Sequence, residues 1–105
     1  MMNSKTGIVI YVSVIVSSET KEKFTTNLMD IVSGARQIKG CLKYQWFINP
    51  DDNNNYIIYG EFDTEENFSR YKKSDVVSNI GKLLLPLLKE KPNFKHFRTR
   101  LFEQG

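Results

Sequence analysis

The side chains of this chain that can do chemistry are mostly flat and aromatic. Tyr44 and Trp46 stand two apart in one β-type run, Tyr59 and Phe62 fall in the next, and Phe68 and Tyr71 follow three apart in a helical stretch. Rings in that number, with few polar neighbours, suit stacking against a flat aromatic molecule. The Tyr71 phenol can also hydrogen-bond a substrate oxygen. The same rings equally fill cores and dimer contacts, where strands favour them simply because they occupy space. His96, the sole histidine, can accept a proton near neutral pH, yet it stands amid Lys95 and Arg98 with no carboxylate close in sequence. It reads as a surface or interface residue.

Other chemistries find little footing. Cys41 is the only cysteine, so the chain offers neither an internal disulfide nor a CxxC pair, and it reads as a small apolar filler beside a hairpin. The glycines at 34, 40, 60 and 81 are too scattered for a dinucleotide fingerprint, and no Gly-x-Ser-x-Gly occurs. No metal site is expected. The acid pairs Asp51-Asp52 and Glu65-Glu66 sit in a turn and at a helix start, where acids serve local structure.

These residues must be held by a simple order of elements. Ile8 to Val16, rich in Val and Ile, predicts a first strand. Ser17, Ser18 or Thr20 caps a helix of about five turns, whose stripe is Phe24, Leu28, Ile31, Val32, Ala35 and Ile38, and Gly40 stops it. Cys41 to Ile48 alternates, with Leu42, Tyr44, Trp46 and Ile48 on one side and Lys43 and Gln45 on the other. Asn49 to Asn55 is a turn by composition, and Tyr56 to Phe62 returns as the third strand. Asp63 or Thr64 caps the next helix, with Glu66 placed as in a capping box. Ser74-Asp75 re-caps a second segment carrying Val76, Val77, Ile80, Leu83, Leu84, Leu87 and Leu88, which Pro86 kinks or ends. Phe94 to Phe102 closes the series as a final strand. The sum is an α+β chain in the ferredoxin-like order β-α-β-β-α-β, with an antiparallel four-stranded sheet.

A chain of 105 residues fits one domain, 1–105, with its core at about 7–102. So small a domain buries only about two-thirds of its unfolded surface, so pairing two protomers would help it. The net charge is +3 and the pI about 9.0. Lys89, Lys91, Lys95, Arg98 and Arg100 cluster late in the chain and either attract phosphate or an acidic ligand, or are simply a solvated strand and loop. No recognisable nucleic-acid module accompanies them, so no nucleic-acid partner is expected. Met1 to Gly7 is polar and leads straight into β-type sequence, so no secretory leader is expected. The longest apolar run, Leu83 to Leu88, is interrupted by Pro86 and too short to span a bilayer. A soluble cytoplasmic protein is the expectation.

Specific residues then point to a family. The junction Gly40-Cys41-Leu42-Lys43-Tyr44 resembles the Gly-Cys-Leu-x-Tyr junction of antibiotic-biosynthesis-monooxygenase (ABM) domains. The polar tip from Asn49 to Asn55 is similar in character to their Asp-Pro turn. The stretch from Phe62 to Ile80 resembles their aromatic, acidic cap, helix, serine and second helix, and Leu83 to Pro92 resembles the Leu-Pro-Leu-Leu run before their last strand. The likeness covers roughly residues 7 to 102. It implies a homodimeric α/β barrel in which the face of the sheet left bare by two helices packs on a partner's sheet. It also implies cofactor-free oxidation of an aromatic polyketide or quinol by molecular oxygen, or haem degradation; some members have no settled activity.

Departures from the family narrow this. Many members carry His where this chain has Tyr71, three residues before Ser74. Many carry Trp and Glu where Phe62 and Gly60 stand. The haem-degrading branch uses a His in the second helix segment, and Ser74 to Leu88 holds none, so neither haem nor another cofactor is expected. The resemblance therefore implies Tyr71 as the catalytic hydrogen-bonding group, with Tyr44, Trp46, Tyr59, Phe62 and Phe68 binding a small aromatic substrate. Tyr71→Phe is expected to lower turnover with little change in melting temperature. A non-catalytic dimeric module holding a small apolar ligand is the competing expectation.

Overall fold

Two long strands carry the architecture. β1 (Met2–Ile15) and β4 (Asn93–Gln104) pair antiparallel from Met2 opposite Gln104 to Ser13 opposite Asn93. The computed structural model describes residues 2–104, with side chains for 7–100, so Met1 and the side chain of Phe102 lie outside the described residues. β2 (Cys41–Asn49) and β3 (Asp52–Phe62) form a hairpin, and β3 also pairs with β1. The sheet order is β2-β3-β1-β4, antiparallel throughout. α1 (Lys21–Ala35), α2 (Glu65–Lys72) and α3 (Asp75–Asn79) are the helices; α3 runs on into a π-helical turn, Ile80–Leu84, and a 3-10 turn, Leu85–Leu87. This is the ferredoxin-like order that the hydrophobic periodicity predicts.

Several boundaries differ from the sequence expectation, each for a local reason. β1 starts at Met2 rather than Ile8, because β4 supplies its backbone partners where no apolar pattern marks a strand. α1 ends at Ala35, short of Gly40. Gly40 instead takes φ +85, and an added Cβ there would lie 2.5 Å from Asn67 at the start of α2, so this corner tolerates only glycine. The hairpin closes tightly around Pro50-Asp51, with Asn49 opposite Asp52; the asparagines at 53–55 belong to β3 and bulge on the β2 side. What holds them is β1: Asn54 accepts from the Val16 amide at 2.9 Å, and Asn55 donates to the Val14 carbonyl at 3.0 Å. Thr64, not Asp63, is the N-cap of α2, accepting from the Asn67 amide at 3.0 Å. Glu66 forms no capping box and pairs with Arg70 at 3.0 Å. Ser74 caps α3 as expected.

The core lies on one face of the sheet. Ile8, Ile10, Val12 and Val14 of β1 and Tyr56, Ile58 and Phe62 of β3 meet Phe24, Leu28, Ile31, Val32 and Ala35 of α1, all buried. The second helical region does not mirror this. Only Leu84 is buried there; Val76, Val77, Ile80, Leu87 and Leu88 are half-buried and Leu83 is exposed. The other face of the sheet carries Val9, Tyr11, Ile57, Phe47 and Phe97, with Tyr11, Phe47 and Phe97 exposed. Phe47 was not part of the expected alternation of β2, and Leu42, expected beside Tyr44, is exposed in a bulge instead. No helix among the described residues is long and apolar enough to cross a membrane.

Candidate active site in the helix-facing cavity

A cavity of about 480 Å3 lies between the helix-facing side of the sheet and the α3–π segment. Val12 and Val14 of β1 and Ile58 of β3 form its floor, Val77, Ile80 and Leu84 its roof, and Pro92 and Phe94 flank it on the β4 side. The roof explains the space. A π turn inserts one residue into the helical repeat, and such turns are frequent at functional sites. Here the turn leaves its apolar side chains spread over the sheet as half-buried walls, and a small-molecule-sized volume stays unfilled.

Among the lining side chains only two carry heteroatoms, Tyr44 and Tyr71. Their hydroxyls are 2.7 Å apart, and the two residues are 1% and 3% exposed. They come from different elements, β2 and α2. Gly60 makes the contact possible. It stands opposite Tyr44 in the hairpin, and an added Cβ would come within 3.1 Å of the Tyr44 ring and 3.0 Å of Ile10. With no side chain at that place, the Tyr44 ring crosses β3 and reaches Tyr71. From behind, Phe62 and Phe68 hold the Tyr71 ring at centroid distances of 4.7 and 6.0 Å. Ser74 completes the clamp, its hydroxyl donating to the Tyr71 carbonyl at 2.6 Å.

Burial sets the electrostatics. Loss of water pushes the Tyr71 phenol up to about 12, offset in part by the hydrogen bond from Tyr44. Tyr44 is raised further still, first by burial and then by its neighbour Tyr71. Both phenols are therefore protonated at neutral pH. Either hydroxyl can donate across the pair, and one bond uses one proton, so the other phenolic proton is left for a ligand. Cys41 is half-buried, and burial raises its thiol, which leaves it a poor nucleophile.

The six residues singled out by sequence thus separate. Tyr44 and Tyr71 line the cavity, and Phe62 and Phe68 support Tyr71 without lining it. Trp46 packs instead on Tyr56 at 5.6 Å, and the Tyr56 hydroxyl meets Thr25 at 2.9 Å. Tyr59 is on the opposite face of the sheet, paired with Gln45, and donates to Glu61 at 2.6 Å; that bond and some burial hold its phenol up at about 12. Ile48 opposite Tyr56 sets even residues against even ones across the hairpin. That parity separates Tyr59 from Tyr44, and it is set by the bulge at 53–55, since Asn49 opposite Asp52 on its own would give the reverse. Gly60 and the π turn were missed: the glycine matters only once the register is known, and no residue pattern announces a π turn.

With fold and site in place, the class of protein follows. The family described as "Antibiotic biosynthesis monooxygenase" matches residues 7–100, and the chain belongs to that family. Solved structures agree on the fold. A conserved protein from Methanosarcina mazei Go1 is 17% identical with a TM-score of 0.83, covering 88% of this chain and 91% of its own. A Nitrosomonas europaea protein assigned to antibiotic biosynthesis monooxygenases is 13% identical, with a TM-score of 0.81 and 89% coverage of each chain. One from Caulobacter crescentus CB15 with the same assignment is 14% identical, with a TM-score of 0.83, covering 90% of this chain and 91% of that one. No curated protein matches the sequence. No histidine is among the residues lining this cavity; His96, on β4, lines a separate cleft.

Proposed function

We propose that the chain is a cofactor-independent monooxygenase for a small quinol-type or anthrone-like aromatic molecule. The observation that carries this reading is the phenol pair, the sole polar side chains lining an otherwise apolar cavity of about 480 Å3. A flat ring fits between the valine floor and the aliphatic roof, and its ionised oxygen accepts the Tyr71 proton in a hydrogen bond. Tyr44, donating to Tyr71, strengthens that bond. In a dry site such a bond stabilises the substrate anion far more than water would. The anion reduces molecular oxygen directly. One oxygen atom enters the ring carbon as a carbonyl, the other leaves as water, and the two hydrogens of that water come from the substrate.

We further propose a homodimer in which the open face, with Tyr11, Phe47 and Phe97, covers its counterpart in a second copy. A second reading has one observation in its favour. No lining side chain is ionised at neutral pH, so nothing there can take the substrate's first proton, as a binding module would allow. Oxygen uptake over a panel of hydroquinones and anthrones separates the two readings. Uptake that falls in Tyr71→Phe supports oxygenation. Thermal stabilisation by the same compounds without uptake assigns binding alone.

A further inference from the structure

Beyond Phe68 lies a second cleft, of about 370 Å3, between α2 and β4, and its lining is polar. α2 contributes Glu65, Ser69 and Lys72, spaced four and three apart on one helix face. β4 contributes His96 and Arg98, alternate residues on its helix-facing side, opposite Ile10 and Ile8. The basic cluster noticed in the sequence is divided by the strand: Arg98 faces this cleft, while Lys95 belongs to the other face. Glu65 pairs with Arg98. The Lys72 ammonium sits 5.2 Å from the centre of the Phe68 ring, and the His96 ring packs 5.6 Å from it. A guanidinium, an ammonium, an imidazole and a hydroxyl converge here, and one carboxylate faces them. Donors and positive charge are in excess. The shortfall is an acceptor of negative charge.

The two cavities also share walls. Phe68 flanks this cleft and stacks on Tyr71, which lines the apolar one, at 6.0 Å. On β4, Phe94 of the apolar cavity and His96 of the polar cleft are 6.3 Å apart. We infer that the cleft is an oxyanion site, holding a carboxylate, sulfonate or phosphate group between Lys72, His96 and Arg98 with Phe68 as its apolar flank. The anion has two sources. It is either an acidic substituent of the ring compound in the neighbouring cavity, which rests on the function proposed above, or a free inorganic anion, which does not.

His96 is the only histidine, so its ring-proton NMR signals report on this cleft alone in the untagged protein. Inorganic phosphate, exchanged for chloride at constant ionic strength, is expected to shift them saturably if a free anion suffices. If the anion belongs to the ring compound, 1-anilinonaphthalene-8-sulfonate shifts them saturably instead. Lys72→Gln then weakens that probe by about tenfold, as loss of a charge-assisted hydrogen bond would, and leaves the uncharged N-phenyl-1-naphthylamine unchanged. Linear, unsaturable shifts with both phosphate and the sulfonate in the wild-type protein overturn the proposal. Because that arm needs neither a variant nor turnover, it stands apart from the oxygen-uptake result.

Discussion

Tyr44 and Tyr71 act as a unit, and removing either hydroxyl strands the other. Tyr71→Phe leaves the Tyr44 hydroxyl buried without its 2.7 Å partner. That costs about 1–3 kcal/mol, and in a domain of this size each kcal/mol lowers the melting temperature by roughly 4–8 °C. A measurable loss of stability is therefore expected for Tyr71→Phe, where sequence alone implies almost none. The double variant Tyr44→Phe/Tyr71→Phe is expected to melt higher than the sum of the single losses implies, and strictly additive losses in a double-mutant cycle contradict the pairing. The same phenols govern alkaline stability. A folded-state pKa raised from 10.0 to about 12 means that the Tyr71 contribution is complete below pH 10 and is lost as pH climbs through 12. In that window stability falls by about 1.4 kcal/mol per pH unit for each such tyrosine. Melting temperatures from pH 9 to 12 should therefore drop more steeply in the wild type than in the double variant; parallel profiles contradict it.

At the scale of elements, the roof of the cavity depends on one cap. The Ser74 hydroxyl accepts from the Val77 amide and donates to the Tyr71 carbonyl, joining α2 to α3. Ser74→Ala is expected to cost about 1 kcal/mol and to speed amide exchange across residues 75–84 while leaving α1 unchanged. Uniform acceleration would mean that the serine steadies the whole domain instead. The Ser74 cap was legible in the sequence because a small hydroxyl residue followed by an acid and an apolar pair has few other uses. So was the α1 stripe, a local pattern. Phe24, Leu28, Ile31, Val32 and Ala35 repeat at helical spacing, whereas the hairpin register turns on the bulge at 53–55. What sequence could not give was the roof. Val77, Ile80 and Leu84 read as a core stripe, and whether such a stripe fills space or encloses it depends on the π turn. The Tyr44–Tyr71 contact was hidden likewise, since it joins two elements 27 residues apart across a glycine.

At the scale of the molecule, one sheet face is packed by helices and the other bears Tyr11, Phe47 and Phe97 in the open. Paired copies would bury that apolar surface. Phe47→Glu/Phe97→Glu is expected to sediment as the 12.2 kDa single chain and the wild type at twice that mass; a wild-type monomer at micromolar concentration contradicts the dimer. The apolar cavity is on the other side of the sheet, so ligand chemistry and self-association are expected on opposite faces. A crystal soaked without oxygen in a hydroquinone or anthrone decides that placement directly. The expected electron density is a flat ring between Val12 and Leu84, with its oxygen within hydrogen-bonding distance of the Tyr71 hydroxyl. A ring bound instead on the open face beside Phe47 and Tyr59, with the Tyr44–Tyr71 cavity empty, would contradict it.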